Sequence, residues 1–334
     1  MFGEIALAVV GLLVIVGACE LFTNGIEWFG KKLNLSQGVV GSVLAAVGTA
    51  LPETIVPIVA ILGGSGESSH DIGIGAILGA PFMLSTLAFF VTGISVVIFM
   101  RRRPHGLRMP VNTRVLSRDV IAFVLVYSVA VIAAFIPSMP IKTAIGILLL
   151  FAYAFYVYLH VKDGDHDSDE PDHIKRLYFC WAGDEDVPRL RWTILQTLTA
   201  LGAIFLGAMV FVENLEIVCD SFGMNALLVS LIVTPIATEL PEKFNSVLWI
   251  RQGKDTLAMG NITGAMVFQS CIPVTVGLIF TEWHLDPVAI CSVVIALLSG
   301  AVLYTSMKVT GKLSPWVLIG SVAGYVAFIV FALS

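Results

Sequence analysis

Glu53 and Glu242 stand in nearly the same setting, in GTALPE (48–53) and ATELPE (237–242). Each closes a Thr-x-Leu-Pro-Glu run inside a long apolar stretch, with Thr49 and Thr238 four residues ahead of the acids. Proline has no N–H to donate, and its ring collides with the carbonyl four residues back. A helix passing through either run must kink or unwind, which frees carbonyls near Ala46–Gly48 and near Pro235–Ala237. Pro235 adds a second proline ahead of Pro241, so the second break is expected to be the more severe. Freed carbonyls, a threonine hydroxyl and a carboxylate on one irregular turn suit a hard cation. Two such turns brought together would place Glu53 opposite Glu242. Thr49, Thr238, backbone carbonyls and water would then complete the six to eight oxygens that Ca²⁺ takes. With no cation between them two close carboxylates do not both stay ionised, so protons should compete with the metal. A single buried glutamate can also be a neutral member of a packed bundle; two placed by a repeated motif argue for a shared site.

The surroundings of these motifs are those of a membrane. Of 334 residues, 57% are hydrophobic and only 13% charged, against about 25% charged in soluble domains. Formal net charge is −5 and no basic patch lies outside the short loops, which excludes a nucleic-acid partner. Ten stretches are long enough to span: roughly 3–30, 36–62, 71–99, 118–136, 139–161, 193–221, 225–250, 256–281, 285–306 and 313–333. The first lacks the basic start of a cleaved signal and reads as a permanent helix. Placing the arginine-rich loop 101–118 in the cytoplasm puts 17 of the 19 basic residues on that side, with both termini outside. A polar linker, 162–192, separates five spans (1–161) from five (193–334). An odd number per half inverts the second half relative to the first. The fold class expected is therefore an all-α polytopic membrane protein, ten transmembrane helices in two inverted five-helix repeats. The TxLPE copies, each followed by a Gly-x-Ile-x-Gly segment (GAILGA at 75–80, GNITGA at 260–265), support the duplication.

Other residues have plainer roles open to them. Glycines 75, 79, 260 and 264 have the spacing that lets helices approach closely. Glu239 and Lys243, at i and i+4, can form an internal salt bridge; alternatively Glu239 joins the site, or Lys243 acts as a built-in cation. Glu20 and Asn24 in the first span, and Glu213 in the sixth, could line an ion path; Glu27 and Glu216 fit interfacial positions better. The acidic run KDGDHDSDEPDH (162–173) lacks the EF-hand glycine and glutamate and reads as a solvated charge run. Five cysteines show no CxxC or CxxH spacing, so no zinc site, redox pair or cofactor is implied. All six histidines fall in loops or at span ends, which argues against an intramembrane hydrolase.

The stretch from Gly17 to Ala60 and that from Leu227 to Ser270 resemble the two repeats of the sodium/calcium exchanger family, within the wider cation/calcium exchanger superfamily. The resemblance covers the whole ten-span layout. It implies a core of eight helices that holds the site, crossed by two long tilted helices, the first and sixth, whose sliding gives alternating access. It also implies that Glu53 and Glu242 are the central divalent-cation ligands, with Thr49 and Thr238 beside them. The chain departs from the family pattern at several positions. Ala50 and Glu239 follow the threonines, where the family often has serine; GAPFML and GAMVFQ replace GSN-type segments, leaving Ala80, Leu84, Ala265 and Gln269 at polar positions. Several side chains associated with sodium are thus absent, while Gln269 stays as a possible ligand beside Glu239 and the carbonyls of Ala46 and Pro235.

The function expected is secondary antiport, Ca²⁺ exchanged for Na⁺ or H⁺ by alternating access. The alternative is a proton-coupled exchanger of another cation, Mg²⁺, Mn²⁺ or Na⁺; a non-exchanging channel fits less well, because no continuous polar pore is evident. Partners are inorganic cations and the lipid bilayer, at the plasma or inner membrane in a prokaryote. No sequence feature sets an oligomeric state, and a monomer is compatible with the layout.

Overall fold

The protein is described by a computed structural model covering residues 2–32, 50–64, 67–162, 176–179 and 188–334. Thr49, Ala46 and most of the acidic linker lie outside these described residues. In chain order the helices are α1 (Phe2–Lys32), α2 (Leu51–Gly63), α3 (Glu67–Met83), a π-helical segment (Leu84–Ala88), α4 (Phe89–Phe99), α5 (Thr113–Ala134) and α6 (Met139–Lys162). There follow α7 (Leu190–Phe222), α8 (Ala226–Thr238), α9 (Leu240–Gln252), α10 (Asp255–Phe280), α11 (Pro287–Thr310), α12 (Pro315–Gly320) and α13 (Val322–Leu333). Among the described residues, eight helical stretches are long and apolar enough to cross a membrane. The second and seventh expected spans are represented by shorter pieces: α2, and the pair α8–α9. The tenth is also divided, at Ser321.

α10 and the α3–α4 stretch are the most deeply buried spans, apolar on all sides as helices at the centre of a bundle must be. α10 packs on α2, α3, α5, α6 and α9, while α3 packs closely on α8. One apolar core is built mainly from α3, α5, α10 and α11; a second joins α1 and α7 to α2 and the start of α3. α1 and α7 are the longest helices, with 31 and 33 residues. At 1.5 Å per residue they run about 46 and about 50 Å, well beyond the ~30 Å hydrocarbon layer, so they must tilt or protrude.

These two helices run antiparallel, because Gly11 meets Gly207 near one end and Gly25 meets Thr197 near the other. A Cβ on Gly11 would lie 2.8 Å from the Gly207 carbonyl and from the Phe211 nitrogen. By contrast α3 and α8 run parallel, Gly75 facing Leu227 and Gly79 facing Leu231 and Pro235.

Loops expected on one side of the membrane do meet. Arg103 is buried, not solvated: its guanidinium donates to the Asp255 carboxylate (2.8 Å) and to the carbonyls of Ile250 (2.6 Å), Gly106 (3.0 Å) and Arg108 (3.1 Å). Met109 bridges Leu313 in antiparallel fashion. Segments 101–112, 251–255 and 311–314 therefore form one cap. The π-helical segment follows Pro81, and two of its carbonyls are satisfied from other helices: Ser299 donates to Ser85 O and Ser321 to Thr86 O (2.7 Å). In a membrane such hydroxyls replace the water that irregular backbone would otherwise need.

Candidate cation-binding site

The two Leu-Pro-Glu runs each start a fresh helix. α2 and α9 both have 13 residues, both carry proline in the first turn, and both place the glutamate third. The residue ahead of each is out of helical geometry in the same way: Ala50 at φ −86°, ψ 4° and Glu239 at φ −88°, ψ 3°. The turn that opens each helix is thus duplicated. At the second copy it is confined to one residue, because α8 continues through Pro235 to Thr238. The expected comparison with the first break cannot be drawn, because residues 33–49 lie outside the described residues. Pro235 lies inside α8, and its carbonyl accepts the Glu239 N–H at 3.1 Å. The carbonyls denied a helical donor are instead Leu231, four residues before Pro235, and Ala237, four before Pro241. Gly79 of α3 lies against Leu231 and the Pro235 ring, where any Cβ would collide.

Glu53 is buried, 3% exposed, at the start of α2. Its partner in sequence, Glu242, occupies the matching place in α9; its backbone is described and its side chain is not. On α10, which packs on both α2 and α9, Gln269 is 1% exposed and its Oε1 has no hydrogen-bond partner. Pro273 stands four residues on, so the Gln269 backbone carbonyl also lacks its helical donor. Two oxygens of one residue are therefore left without a backbone donor in the middle of the most buried span. Thr238 is buried, and its hydroxyl donates to the Thr234 carbonyl at 3.1 Å. Glu239, fully buried, meets Lys243 Nζ at 3.1 Å. The first copy differs: Thr54 replaces the lysine, and its hydroxyl donates to the Ala50 carbonyl at 3.1 Å.

A hydroxyl ladder that spacing alone could have flagged leads up to this turn. Ser230, Thr234 and Thr238 repeat every fourth residue on α8, all buried; Ser230 bonds Thr234 (3.0 Å) and donates to the Ile72 carbonyl of α3 (2.7 Å). The chemistry assembled is that of an oxygen-rich, water-poor turn with carboxylates of low solvation, suited to a small hard cation.

A family model described as "Sodium/calcium exchanger protein" matches residues 3–162 and 192–334. The chain belongs to the sodium/calcium exchanger family. It is a multi-pass membrane transporter of the cation/calcium antiporter class, not an enzyme. Similar proteins include the putative antiporter CaxA of Alkalimonas amylolytica, 26% identical over 84% of this chain and 82% of the relative. The inner membrane protein YrbG of Escherichia coli (strain K12) is 25% identical over 85% of this chain and 82% of the relative. Among solved structures, an H⁺/Ca²⁺ exchanger CAX matches with TM-score 0.73 at 16% identity, over 99% of this chain and 82% of that one. The sodium–calcium exchanger NCX_Mj matches with TM-score 0.59 at 20% identity, over 98% and 97%. These two likenesses establish a shared fold.

In the exchanger, the remaining candidates divide. Glu20 is exposed on α1 and accepts from Tyr178 at 2.9 Å; Glu213 is exposed on α7. Neither is brought to the helix breaks. Asn24 is buried between α1 and α7, accepting from Gln196 at 2.9 Å. Glu216 accepts from Ser69 at 2.5 Å, which ties the end of α7 to the start of α3. Gly75 and Gly79 make the close approach expected of them; Gly260 and Gly264 meet no such neighbour among the described residues. Asp119 is a buried acid that sequence reasoning passed over. It accepts from Tyr156 (3.0 Å) and Thr263 (2.8 Å) and lies 3.1 Å from His160. Its place in the first two turns of a span had hidden it among loop charges.

Proposed function

We propose that the exchanger moves a divalent cation, Ca²⁺ foremost, in exchange for H⁺ or Na⁺ by alternating access. The cation binds where the two broken spans meet, between Glu53 and Glu242. Thr49 and Thr238 stand beside them, and Gln269 with the carbonyls around Ala46 and of Ala237 adds neutral oxygens. The observation that carries this reading is the duplicated fracture: the same backbone angles at Ala50 and Glu239, each opening a 13-residue helix whose third residue is an acid. The same duplication, with α1 and α7 antiparallel, supports two inverted five-helix repeats, 1–161 and 193–334, joined by the linker 162–192. The loop cap at 101–112, 251–255 and 311–314 supports one shared side for these basic loops; the charge bias of the sequence is what makes that side cytoplasmic, with both termini outside.

The side-chain set favours the proton as coupling ion. Ala80, Leu84 and Ala265 are buried and apolar, which leaves few oxygens for Na⁺. Carboxylates at the breaks can instead take protons when the metal leaves. One fold neighbour is an H⁺/Ca²⁺ exchanger and the other a sodium–calcium exchanger, so the choice of the proton rests on the side chains alone. Exchange of Mg²⁺, Mn²⁺ or Na⁺ against protons is the alternative.

The test is ⁴⁵Ca²⁺ uptake into proteoliposomes with Na⁺ and H⁺ gradients imposed separately, for the wild type and Glu53→Gln. Uptake should require a counter-ion gradient, respond more to H⁺ than to Na⁺, and vanish in the variant. Wild-type exchange by Glu53→Gln would remove the proposed site, and uptake with no gradient would turn the reading toward a channel.

A further inference from the structure

The second Leu-Pro-Glu turn carries a charge pair that the first does without. Glu239 stands where the first copy has Ala50, and Lys243 where it has Thr54. The two backbone turns are nearly identical, with φ −86°, ψ 4° at Ala50 and φ −88°, ψ 3° at Glu239. In the first copy a neutral bond closes the turn, the Thr54 hydroxyl donating to the Ala50 carbonyl at 3.1 Å. In the second the Lys243 N–H donates to the Glu239 carbonyl at 3.1 Å, and that backbone bond needs neither charge. Nor does the carboxylate cap its helix: Glu239 directly precedes α9 and makes no side-chain capping bond. Buried ion pairs add little net stability over apolar side chains of similar size. The pair therefore needs a reason other than the folding of the turn.

Its chemistry supplies one. The Glu239 side chain has no solvent exposure; one carboxylate oxygen lies 3.1 Å from Lys243 Nζ, and Oε1 has no hydrogen-bond partner. A buried carboxylate oxygen without a donor is costly, and it is the kind of atom a hard cation takes as a ligand. Thr238 directly precedes Glu239, and Glu242 follows within one turn. Without Lys243, Glu239 would be a third carboxylate at the helix breaks, beside Glu53 and Glu242. With Lys243 it is already engaged. The lysine ammonium is a compact point charge on a flexible stem, the side-chain group most like a bound monovalent cation. It is held on α9 by its own chain, so it cannot leave with a transported ion.

We propose that Lys243 is a resident cation of the exchanger, given a divalent-cation site between Glu53 and Glu242 as proposed above. Its ammonium takes the place at Glu239 that a transported ion would otherwise take, so the divalent cation is held by two carboxylates rather than three. Three carboxylates and one ammonium carry a formal charge that a single divalent ion neutralises. Without the ammonium, one more monovalent cation must enter to balance the site. Lys243 thereby sets how many ions accompany each divalent cation, whichever counter-ion is exchanged.

The test is equilibrium binding of ⁴⁵Ca²⁺ to the purified full-length chain at one fixed alkaline pH, with thermal unfolding read in parallel. Lys243→Met, which releases the third carboxylate, should tighten binding several-fold. Glu239→Gln, which leaves the ammonium to compete for the other two carboxylates, should weaken it by about tenfold or more, the effect of one unit charge within about 8 Å at an intermediate dielectric. Glu239→Ala with Lys243→Thr writes the residues of the first copy into the second and should bring affinity back toward that of the wild type. Lys243→Gln carries the same expectation as Lys243→Met where the latter does not fold. Opposite shifts in the two single variants are what a resident cation requires. A purely structural salt bridge would make both single variants bind more weakly; that result, or unchanged binding in all variants, would overturn the proposal and leave the divalent-cation site standing. Wild-type protein that binds none of Ca²⁺, Mn²⁺ and Mg²⁺ would remove that site and the role of Lys243 with it.

Discussion

At the scale of single residues, Gln269 and the Glu239–Lys243 pair distinguish this exchanger from the pattern it resembles. Gln269 offers an unpartnered side-chain oxygen, and Pro273 denies its backbone carbonyl a donor. Gln269→Leu keeps the volume and removes the oxygen. It should weaken apparent Ca²⁺ affinity about tenfold, taking roughly 1.5 kcal/mol for a contact to a charged group. The concentration dependence of ⁴⁵Ca²⁺ flux measures this, and unchanged affinity would place Gln269 outside the site. Lys243 holds the Glu239 carboxylate at 3.1 Å. Lys243→Met should release that carboxylate to compete for cations and protons. Apparent Ca²⁺ affinity then rises several-fold at alkaline pH and falls more steeply on acidification than in the wild type, since protons must be displaced before the metal binds. A pH profile superimposable on that of the wild type would make the pair a structural link only.

At the scale of elements, the packing depends on close backbone contacts and on one buried ion pair. Gly79 allows α3 to lie on the Leu231 carbonyl and the Pro235 ring of α8. Gly79→Val inserts a branched side chain there, and overpacking of this kind costs about 1–3 kcal/mol. A fall in the thermal unfolding midpoint together with lost flux is expected; full stability and flux would show that the two helices have room to part. Arg103 and Asp255 are both without solvent exposure in their side chains, joining the loop after α4 to the start of α10. Arg103→Gln strands the aspartate, and breaking a buried pair from one side costs on the order of 3–5 kcal/mol. Thermal unfolding of purified protein reads this. Asp255→Asn in the same chain should recover part of the loss, because it removes the stranded charge.

For the whole molecule, the arrangement of loops makes a sidedness prediction. In a cysteine-free background, single cysteines at Arg102 and Lys312 should react with an impermeant maleimide only from the cytoplasmic face. Cysteines at Ser138 and His284 should react only from the opposite face. Labelling of all four from one side would reject the span assignment. Acidification should also weaken Ca²⁺ transport overall, because any two carboxylates that share a cation take up protons as pH falls.

The amino-acid sequence by itself determined the class of molecule, nearly every span, and the two broken turns. These are properties of chain composition and of proline chemistry, which act over a few residues and need no tertiary contact. Thr-x-Leu-Pro-Glu is legible as a fracture wherever it stands, because the missing N–H and the ring clash are covalent facts. The sequence could not tell which polar groups the packed helices consume. Arg103 reads as one of several loop arginines until the fold buries it against Asp255, and Asp119 reads as an interfacial charge until α6 and α10 supply Tyr156 and Thr263. Pro235 reads as a carbonyl donor to a cation until helix α8 runs on through it and the Glu239 N–H takes that oxygen. Burial, partner and solvation are set by neighbours tens to hundreds of residues away in the chain, and only the tertiary structure brings them within hydrogen-bond distance.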